Sequence, residues 1–526
     1  MKADLIFANG TLLTQEPSRP VAEAMAVREG RIVAVGNERD VRALAGPATQ
    51  HVDLGRRTLV PGLIDAHAHI WKIGHLLTTM VDLRRTRSLG ELTRTLQPSH
   101  ARLGPDAWLQ GRGFNEANLT ERRMPNRTDL DAVVRDRPVV LTRTCGHIYA
   151  VNSAALTRAG ITRDTPDPSG GLIDRDASGE PTGLLHETAM GLINAHMPPP
   201  SRGDYAAMIT AGLTHQLSLG ITSTNDAGVS PELLDVYRAM DRERALPSRV
   251  NVMALRKVDG VGVVPLPERH VSEWLRVDTV KFLADGGLSG ATAALSMPYR
   301  HANTRGMLRF ERDELESLAR EAHDAGLRIA THAIGDVTID QVLDVYEALG
   351  RGPMRHRIEH FGLPSSEQIA RAAQMGVIAV PQTIFLHELG RNFREYIPDA
   401  LFARTYPVRA MLDGGVTVAL SSDAPVVEND NPLQGMRAAI DRADDEDNAM
   451  LPEQAITAAQ ALYAYTMGGA IASGDDDNRG SLCVGKWADV AVLSGSPLEA
   501  PTDHLTNLHV DATWLGGTLA HERSHA

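Results

Sequence analysis

The segment PGLIDAHAH, residues 61–69, is an apolar run that ends in two histidines separated by one residue. Successive side chains of a β-strand point to opposite faces, so His67 and His69 point the same way. At the end of a barrel strand this brings two imidazoles close enough to share one cation, and zinc, iron and manganese all accept imidazole nitrogen. On its own the pair is more simply interpreted as polar residues in a loop after a strand. The metal-site hypothesis therefore depends on the rest of the chain.

Eight apolar, β-branched or Ala-rich runs predict buried parallel strands, and the first of them lies in this segment. Helical patterns separate several of the runs, such as DELESLAREAHDAG at 313–326, where apolar residues recur at about i, i+3, i+4 and i+7. Repeated alternation of strand and helix is typical of an α/β protein with a (β/α)8 TIM-like barrel. The predicted strands are residues 61–67, 219–225, 249–255, 277–284, 327–332, 356–360, 376–381 and 416–422.

The two ends of the chain predict a second, smaller domain. Residues 4–53 and 481–521 contain short alternating runs broken by Gly and Asn, and neither piece is large enough to bury a core alone. We therefore expect one small β-sandwich built from both termini, residues 1–60 and 478–526, beside a barrel at residues 61–477. A length of 526 residues suits this combination.

The connection between the first and second predicted strands is unusually long. It has roughly 150 residues, far more than an ordinary loop between a strand and a helix. We interpret it as an inserted subdomain, at about residues 75–215. Such an insert would cap the C-terminal face of the barrel and shape the substrate pocket, because loops at that face build the active sites of these barrels.

Polar residues follow three other predicted strands at the point where each strand ends. His332 lies in RIATHAIGD, His360 in RIEHF and Asp423 in VALSSDAP. A lone histidine at a strand end is more often a hydrogen-bonded structural residue than a ligand. Four histidines and one aspartate at the same pole of one barrel are harder to explain in that way. The pattern predicts that His332, His360 and Asp423 surround a metal ion together with His67 and His69.

Lys281 lies inside the fourth predicted strand, in VDTVKFLADGG, and is one of only five lysines in the chain. A buried ammonium is costly unless it is paired, and burial lowers its pKa. A neutral amine near a cation could react with CO2 to give a carbamate, which would be a bridging anionic ligand. Alternatively, Lys281 is paired with Asp285. Both interpretations stay open at this point.

The composition excludes several classes of function. The net charge of -13 and the lack of a Lys/Arg run argue against a protein that binds the nucleic-acid backbone. No apolar run is long enough to span a bilayer. The N-terminal segment MKADLIFANG has charge and Gly too early for a signal peptide. Two distant cysteines, Cys145 and Cys483, predict no disulfide framework. We expect a cytoplasmic protein, with a homodimer as the usual prior for a soluble enzyme.

These motifs together resemble the amidohydrolase superfamily, and most closely its amidohydrolase-3 (YtcJ-like) branch of metal-dependent hydrolases. The resemblance covers nearly the whole chain in the right order, and it is specific for the branch but not for a substrate. The first motif reads DAHAH where many relatives have DSHxH, and the change at Ala66 touches no ligand. The matching segments are PGLIDAHAH, GRGFNE, RTCGHIYAVNSAAL, VKFLADGG, THAIGD, RIEH, SSDAPVVENDNPLQGMRAAIDR, ITAAQALYAYTMGGA and GSLCVGKWADVAVL.

The resemblance implies a site with one or two divalent metal ions, commonly zinc, with manganese or iron as alternatives. His67 and His69 would be ligands, with His332 and His360 beside them. Lys281 is similar to the lysine of the family that is often carboxylated and bridges two metals. Asp423 is similar to the aspartate of the eighth strand, which is the general base and lies within reach of the metal.

The residues of the site suggest how such an enzyme works. A bound cation would make hydroxide available from water at pH 7, and Asp423 would take the proton and later deliver it to the leaving amine. His147, in CGHIYAVNS, either polarises the carbonyl oxygen or is a structural turn residue. Glu187, in GLLHETAM, either contacts the substrate or is an exposed helical carboxylate, and the second interpretation is the simpler.

The predicted function is hydrolysis of a C–N bond in a small amide, such as an N-substituted formamide or an N-acyl amine. One alternative is a deaminase, or a hydrolase of cyclic amides or imines, with the same site. Another is isomerisation or decarboxylation on the same scaffold. A fourth reading is a scaffolding protein of the superfamily that has lost its metal ligands, and the presence of every candidate ligand argues against it.

Overall fold

The computed structural model describes residues 2–103, 107–144, 146, 148–168, 170–258, 261–352 and 354–524. The chain divides into two compact units. One consists of Met1–Ile70 together with Leu213–Ala526, and the other of Trp71–Gly212.

The centre of the first unit is a curled sheet of eight parallel strands that follow one another in chain order. Each strand predicted from the sequence overlaps one of them. The strands consist mainly of Val, Ile, Leu, Ala and Thr, which suits a sheet that is buried on both faces. They are Leu63–Ala68, Ile221–Val229, Arg249–Leu255, Leu275–Leu283, Arg328–Ala333, Arg357–His360, Ile378–Val380 and Thr417–Val418, called barrel strands one to eight below.

The sheet curls back onto its first strand through the backbone that follows the short eighth strand. The amide of Asp423 donates to the carbonyl of His67 at 2.8 Å, and the amide of His69 donates to the carbonyl of Ala424 at 2.9 Å. This segment, residues 419–424, therefore closes the sheet into a TIM-like barrel. The contacts also bring Asp423 to the first barrel strand.

Amphipathic helices cover the outside of the barrel strands. The helix predicted at 313–326 forms as Arg312–Asp324 and buries its Leu and Ala face in the core. The helix Ser366–Met375 begins with a capping box between Ser365 and Gln368, and it ends at Gly376, whose φ of +70° suits a residue without a Cβ.

The helices of this unit beyond residue 220 are Pro231–Arg242, Arg312–Asp324, Asp336–Leu349, Ser366–Met375, Ile384–Glu388, Gly390–Tyr396, Asp399–Phe402, Val408–Asp413, Pro432–Asp441, Ala458–Tyr463 and Gly469–Ser473, with a π-helix at Ala464–Gly468 and 3-10 turns at Pro452–Gln454 and Thr502–Asn507. Glu38–Arg42 is the helix near the N-terminus, and Ile70–Thr78 and Arg202–Ser218 span the boundaries of the two units.

Strands from both ends of the chain form two further sheets in this unit. Thr58–Pro61, just before the first barrel strand, pairs antiparallel with Val490–Leu493 near the C-terminus. Phe7 of one sheet and Trp514 of the other meet edge to face, with ring centroids 5.2 Å apart, in a hydrophobic cluster that both sheets share. In spatial order the sheets are Arg31–Gly36, Ala24–Arg28, Leu5–Ala8, Gln50–Asp53, and Thr518–Glu522, Val510–Leu515, Val490–Leu493, Thr58–Pro61, Thr11–Leu13, Val21–Ala22.

The second unit has its own mixed sheet and its own core. Leu92, Leu109, Leu141 and Phe114 are among the residues of one buried cluster. The strands, in spatial order, are Gly171–Arg175, Pro181–Glu187, Ile148–Val151, Val139–Arg143, Leu109–Phe114 and Val81–Asp82, and the helices are Leu89–Arg102, Arg127–Asp131, Ser153–Arg158 and Met190–Asn194, with a 3-10 turn at Glu116–Asn118.

Three short strands complete the description. Lys257–Val258 and Gly262–Val263 pair with each other, and His270–Val271 lies antiparallel to the fourth barrel strand. Among the described residues, none of the helices combines the length and the apolar character that crossing a bilayer requires.

Candidate metal centre

The four histidines and the aspartate predicted from the sequence lie together at the C-terminal ends of the barrel strands. The ring centroids of His67 and His69 are 5.7 Å apart, those of His67 and His360 are 5.0 Å apart, and those of His332 and His360 are 4.3 Å apart. The first, fifth, sixth and eighth strands, or the segments just after them, position these side chains. The fold therefore brings together residues that are more than 350 positions apart, from His67 to Asp423.

His67, His69 and Asp423 form the tightest group. The Oδ1 atom of Asp423 is 3.4 Å from Nε2 of His67 and 3.1 Å from Nε2 of His69. One ligand-capable atom from each of the three lies within 4.8 Å of the others. Burial alone would raise the pKa of Asp423, but the neighbouring imidazoles hold it well below its usual value. Two nitrogens and an anionic oxygen thus face one small space.

The backbone at two of these residues departs from ordinary strand geometry. His360 has φ +69° and Asp423 has φ +56°. Left-handed backbone is uncommon for residues other than glycine, and Asp and His are among those that adopt it more often. Because Glu359 and His360 are neighbours, regular alternation would send their side chains to opposite faces of the sheet. The turn at His360 allows both to serve the site.

The proton on each of three imidazoles, those of His67, His332 and His360, is assigned from its hydrogen bond. One nitrogen of each ring lies close to an oxygen that can only accept a hydrogen bond. Nδ1 of His67 lies 2.5 Å from a carboxylate oxygen of Glu359. Nε2 of His332 lies 3.1 Å from the carbonyl of Gly286. The nitrogen that forms this hydrogen bond carries the proton, and for His67 the shorter contact decides, because Nε2 is 3.4 Å from Oδ1 of Asp423. His67 therefore keeps its lone pair on Nε2 and His332 keeps its lone pair on Nδ1.

His360 is held by an amide whose orientation is determined by its own neighbours. Gln382 donates through Nε2 to the carbonyl of Val380 at 2.9 Å and to the hydroxyl of Ser421 at 2.8 Å. Its Oε1 must then accept from Nδ1 of His360, at 2.6 Å. His360 therefore keeps its lone pair on Nε2, like His67. Burial lowers the pKa of His360 far below its usual value, which favours this neutral form.

Lys281 is buried in the fourth barrel strand, with 1% of its surface exposed. Its amine has no hydrogen-bond partner among the described residues. Burial lowers its pKa to about 8, although Glu359 and Asp423 act in the opposite direction. The pairing with Asp285 that the sequence left open does not form. Asp285 instead accepts from the amides of Ile334 and Gly335.

Asp65 supports the site from the first barrel strand. Its carboxylate accepts from the amide and the hydroxyl of Ser422, at 3.1 and 2.5 Å, and from the amide of His67 at 3.1 Å. Burial raises the pKa of Asp65 to about 7 in spite of these hydrogen bonds. The residue links the first strand to the segment that carries Asp423, a role that sequence reasoning missed.

Two predicted residues belong to the second unit. His147 lies outside the described residues, as does Cys145. Glu187 is exposed, as expected, but it is the last residue of the strand Pro181–Glu187 and not part of a helix. The helical interpretation of Glu187 was wrong because Leu184 and Leu185 of LLHETAM belong to a strand, and the next helix begins only at Met190.

The donor set of this centre fits a divalent metal. Neutral imidazole nitrogens and a carboxylate oxygen are ligands that zinc, manganese and iron accept. The unpartnered amine of Lys281 is a second indication, because a buried polar group without a partner is costly unless something else satisfies it. A TIM-like barrel with such a cluster at the C-terminal ends of its strands defines the class, a barrel enzyme with a metal centre.

The chain belongs to the amidohydrolase family. The sequence model described as Amidohydrolase family (Amidohydro_3) matches residues 50–521. The chain is 31% identical to an N-substituted formamide deformylase of Arthrobacter pascens, over 99% of each chain. It is also 31% identical to the putative amidohydrolase YtcJ of Bacillus subtilis (strain 168), over 100% of each chain. These matches confirm the predicted family and its YtcJ-like branch.

A solved structure supports the same classification. An uncharacterized metal-dependent hydrolase from Pyrococcus horikoshii OT3 superposes with a TM-score of 0.79 at 27% identity, and the match covers 95% of this chain and 99% of that one. The predicted enzyme class, a metal-dependent amidohydrolase with a TIM-like barrel, is confirmed.

Proposed function

We propose that the protein cleaves the C–N bond of a small N-substituted formamide or related N-acyl amide at the C-terminal mouth of the barrel. The observation that carries the proposal is the convergence of His67, His69 and Asp423, whose ligand-capable atoms lie within 4.8 Å of one another. The similarity to a formamide deformylase along the whole chain supports the choice of substrate class.

We assign the residues to one or two divalent ions, with zinc as the first choice and manganese or iron as alternatives. His67, His69 and Asp423 would hold the first ion. His332 through Nδ1 and His360 through Nε2 would hold the second, with Lys281 between the two. When bound, such ions supply a nucleophile from water at neutral pH and polarise the carbonyl group of an amide.

Asp423 moves the proton in this proposal. Like an ordinary carboxyl group it is ionised at neutral pH, so that it is able to accept a proton from the attacking water. Asp423 then returns the proton to the leaving nitrogen, which departs as a neutral amine. His147 is proposed to donate to the carbonyl oxygen of the substrate, as the motif CGHIYAVNS suggests.

Lys281 is proposed to carry a carboxyl group on Nζ. Its burial keeps more of the amine neutral than in water, and a neutral amine attacks the carbon of CO2, forms an N–C bond and loses a proton. The carbamate is an anion, and it would satisfy an atom that lacks a hydrogen-bond partner among the described residues.

The wider organisation is also part of the proposal. We propose that residues 1–60 and 478–526 form an accessory β-sandwich, and that the insert at about 75–215 contributes to the choice of substrate. The shared cluster of Phe7 and Trp514 supports the first statement. A cytoplasmic location, a homodimer and the lack of nucleic-acid binding remain predictions.

The test is a substrate screen with metal-loaded protein. A panel of N-alkyl and N-aryl formamides, and of heterocycles that carry a free amino group, is incubated with the zinc-loaded and manganese-loaded enzyme, and released formate and ammonia are measured separately. We expect formate with the wild type and none with His67→Ala. His504→Ala is the matched control, because His504 is exposed on a 3-10 turn and should leave the rate unchanged. Release of ammonia without acid would contradict the proposal and favour the deaminase alternative.

A further inference from the structure

Glu359 is a fully buried carboxylate at the end of the sixth barrel strand. One of its oxygens lies 2.5 Å from Nδ1 of His67. Arg357 donates to both of its oxygens, from Nε to Oε1 at 2.5 Å and from Nη2 to Oε2 at 2.9 Å. The two residues are separated by one position, so regular alternation places both on the same face of the strand. The carboxylate thus lies between a guanidinium and an imidazole.

Every N–H group of the Arg357 guanidinium donates a hydrogen bond. Besides its two bonds to Glu359, it donates from Nη1 to Oδ1 of Asn225 at 3.1 Å and to the carbonyl of Ala472 at 3.0 Å. Its Nη2 also donates to the carbonyl of Ala66, which precedes His67 in the chain. All five donors of the fork therefore have acceptors. Arg357 has no freedom to turn, and it holds Glu359 in one orientation.

The charges around Glu359 favour its ionised form. Arg357 donates to both carboxylate oxygens, and a two-point, charge-assisted hydrogen bond of this kind favours the ionised carboxylate. A carboxylate that accepts a hydrogen bond from a histidine also makes the other ring nitrogen a better donor to a metal. A neutral imidazole that is free carries its proton on either nitrogen.

We propose that Glu359, held by Arg357, is a positioning residue that keeps the proton of His67 on Nδ1 and directs its Nε2 lone pair into the space shared with His69 and Asp423 before any metal binds. The metal centre is thereby preorganised on its first histidine. The consequence for metal affinity rests on the proposed function, because it requires His67 to be a ligand. The position of the proton on His67 is independent of the proposed function.

The competing explanation is that Arg357 and Glu359 are only a structural ion pair. The same unit contains a matched pair for comparison, Arg249 and Asp489, which are both buried and bonded through Nε to Oδ2 at 2.6 Å and Nη2 to Oδ1 at 2.9 Å. Within the described residues, Asp489 forms no hydrogen bond or ion pair with a histidine. If the role of Glu359 is purely structural, the loss of either carboxylate should change the zinc affinity equally.

The first experiment compares the zinc affinity of Glu359→Gln and Asp489→Asn with that of the wild type, by competition with a chromophoric chelator. We expect Glu359→Gln to bind zinc about 10- to 100-fold more weakly. Asp489→Asn should keep the wild-type affinity. Glu359→Asp, which retains the charge, should recover part of the loss. Unchanged affinity in Glu359→Gln, or an equal loss in Asp489→Asn, overturns the proposal.

Glu359→Gln leaves a buried guanidinium without its anion, and it is therefore at risk of failing to fold. The double variant Arg357→Met/Glu359→Gln removes both charges. It should show the same loss of zinc affinity, since the anion that faces His67 is gone in both proteins. Wild-type affinity in the folded double variant would refute the inference.

The second experiment needs no metal. The protein is labelled with 15N-histidine and stripped of metal, and the ring resonances of His67 are assigned by their absence from the spectrum of His67→Gln. We expect a protonated Nδ1 and an unprotonated Nε2 in the wild type, and a mixture of tautomers in the double variant. A proton on Nε2 in the wild type overturns the positioning role even if zinc binds tightly. A wild type that binds no zinc but shows the expected tautomer contradicts only the proposed function.

Discussion

Replacing Asp423 by asparagine separates the chemical role of this residue from its structural role. Asp423 has a left-handed backbone, with φ +56°, and its amide helps to close the barrel through the bond to His67. Asparagine is one of the few residues that adopt this backbone readily, so the closure should survive the substitution. The substitution removes the negative charge that lies 3.1 Å from Nε2 of His69 and removes the capacity to accept a proton.

The expected size of the effect follows from these two losses. A positioned general base contributes about 10²- to 10⁴-fold to a rate. This corresponds to about 2.7 to 5.4 kcal/mol in the activation barrier. Asp423→Ala loses the same chemistry and in addition lacks the short polar side chain that makes left-handed backbone favourable, at a cost of roughly 1–2 kcal/mol in the free energy of unfolding. The two variants should therefore share a low kcat but differ in stability.

The assay is formate release at saturating substrate and excess zinc, with the metal content of each sample measured in parallel, because the loss of the carboxylate also weakens metal binding. Urea unfolding of the same samples gives the stability comparison. A kcat for Asp423→Asn within tenfold of the wild type, at full metal occupancy, would place the proton transfer on another residue.

Three further predictions concern the metal, the buried lysine and a distant ion pair. Dialysis against a strong chelator should abolish formate release, and added zinc or manganese should restore it; activity that persists in metal-free protein would contradict a metal-dependent reaction. Lys281→Ala should lose activity that short carboxylic acids partly restore, whereas an absence of rescue would argue against a carbamate. Asp489→Asn should lower the free energy of unfolding by about 3 kcal/mol at pH 7, because it removes the buried carboxylate from Arg249 and leaves the exposed Glu273 as its carboxylate partner. Burial opposes ionisation of Asp489, but Arg249 lowers the pKa of its carboxyl group in the folded protein. The ion pair therefore stabilises the fold fully above the pKa that the carboxyl has in the unfolded chain. This stabilisation is lost as the pH falls through the lower pKa of the folded protein. The difference between wild type and variant should shrink below about pH 4, and a difference that stays constant in urea unfolding would disprove this linkage.

The barrel strands could be predicted because the physics that forms them is local. Their apolar residues are contiguous in sequence, and the order of the strands in the sheet follows their order in the chain. The eighth strand is the exception. The sequence predicts it at 416–422, but only Thr417–Val418 has strand geometry. The residues after it bond to the first strand at Ala66, His67 and His69, and such contacts depend on the curvature of the whole sheet.

The main residues of the centre were also predictable. A histidine or aspartate directly after an apolar strand lies at the C-terminal face of a barrel, where the ends of all the strands meet. The residues that orient them were not. Glu359 precedes His360, and alternation would place it on the opposite face from the site. The left-handed turn at His360 that reconciles the two is not visible in the sequence RIEH. The bond between Gln382 and His360 likewise crosses from one strand to another.

Closure of the barrel has a consequence for the biosynthesis of the protein. The segment that seals the ring of strands is also the segment that delivers Asp423 to His67 and His69. A nascent chain that has not yet emerged beyond this point lacks both Asp423 and the segment that closes the ring. With Asp423 as the proposed base, hydrolysis would begin only after the eighth strand and the residues that follow it are in place.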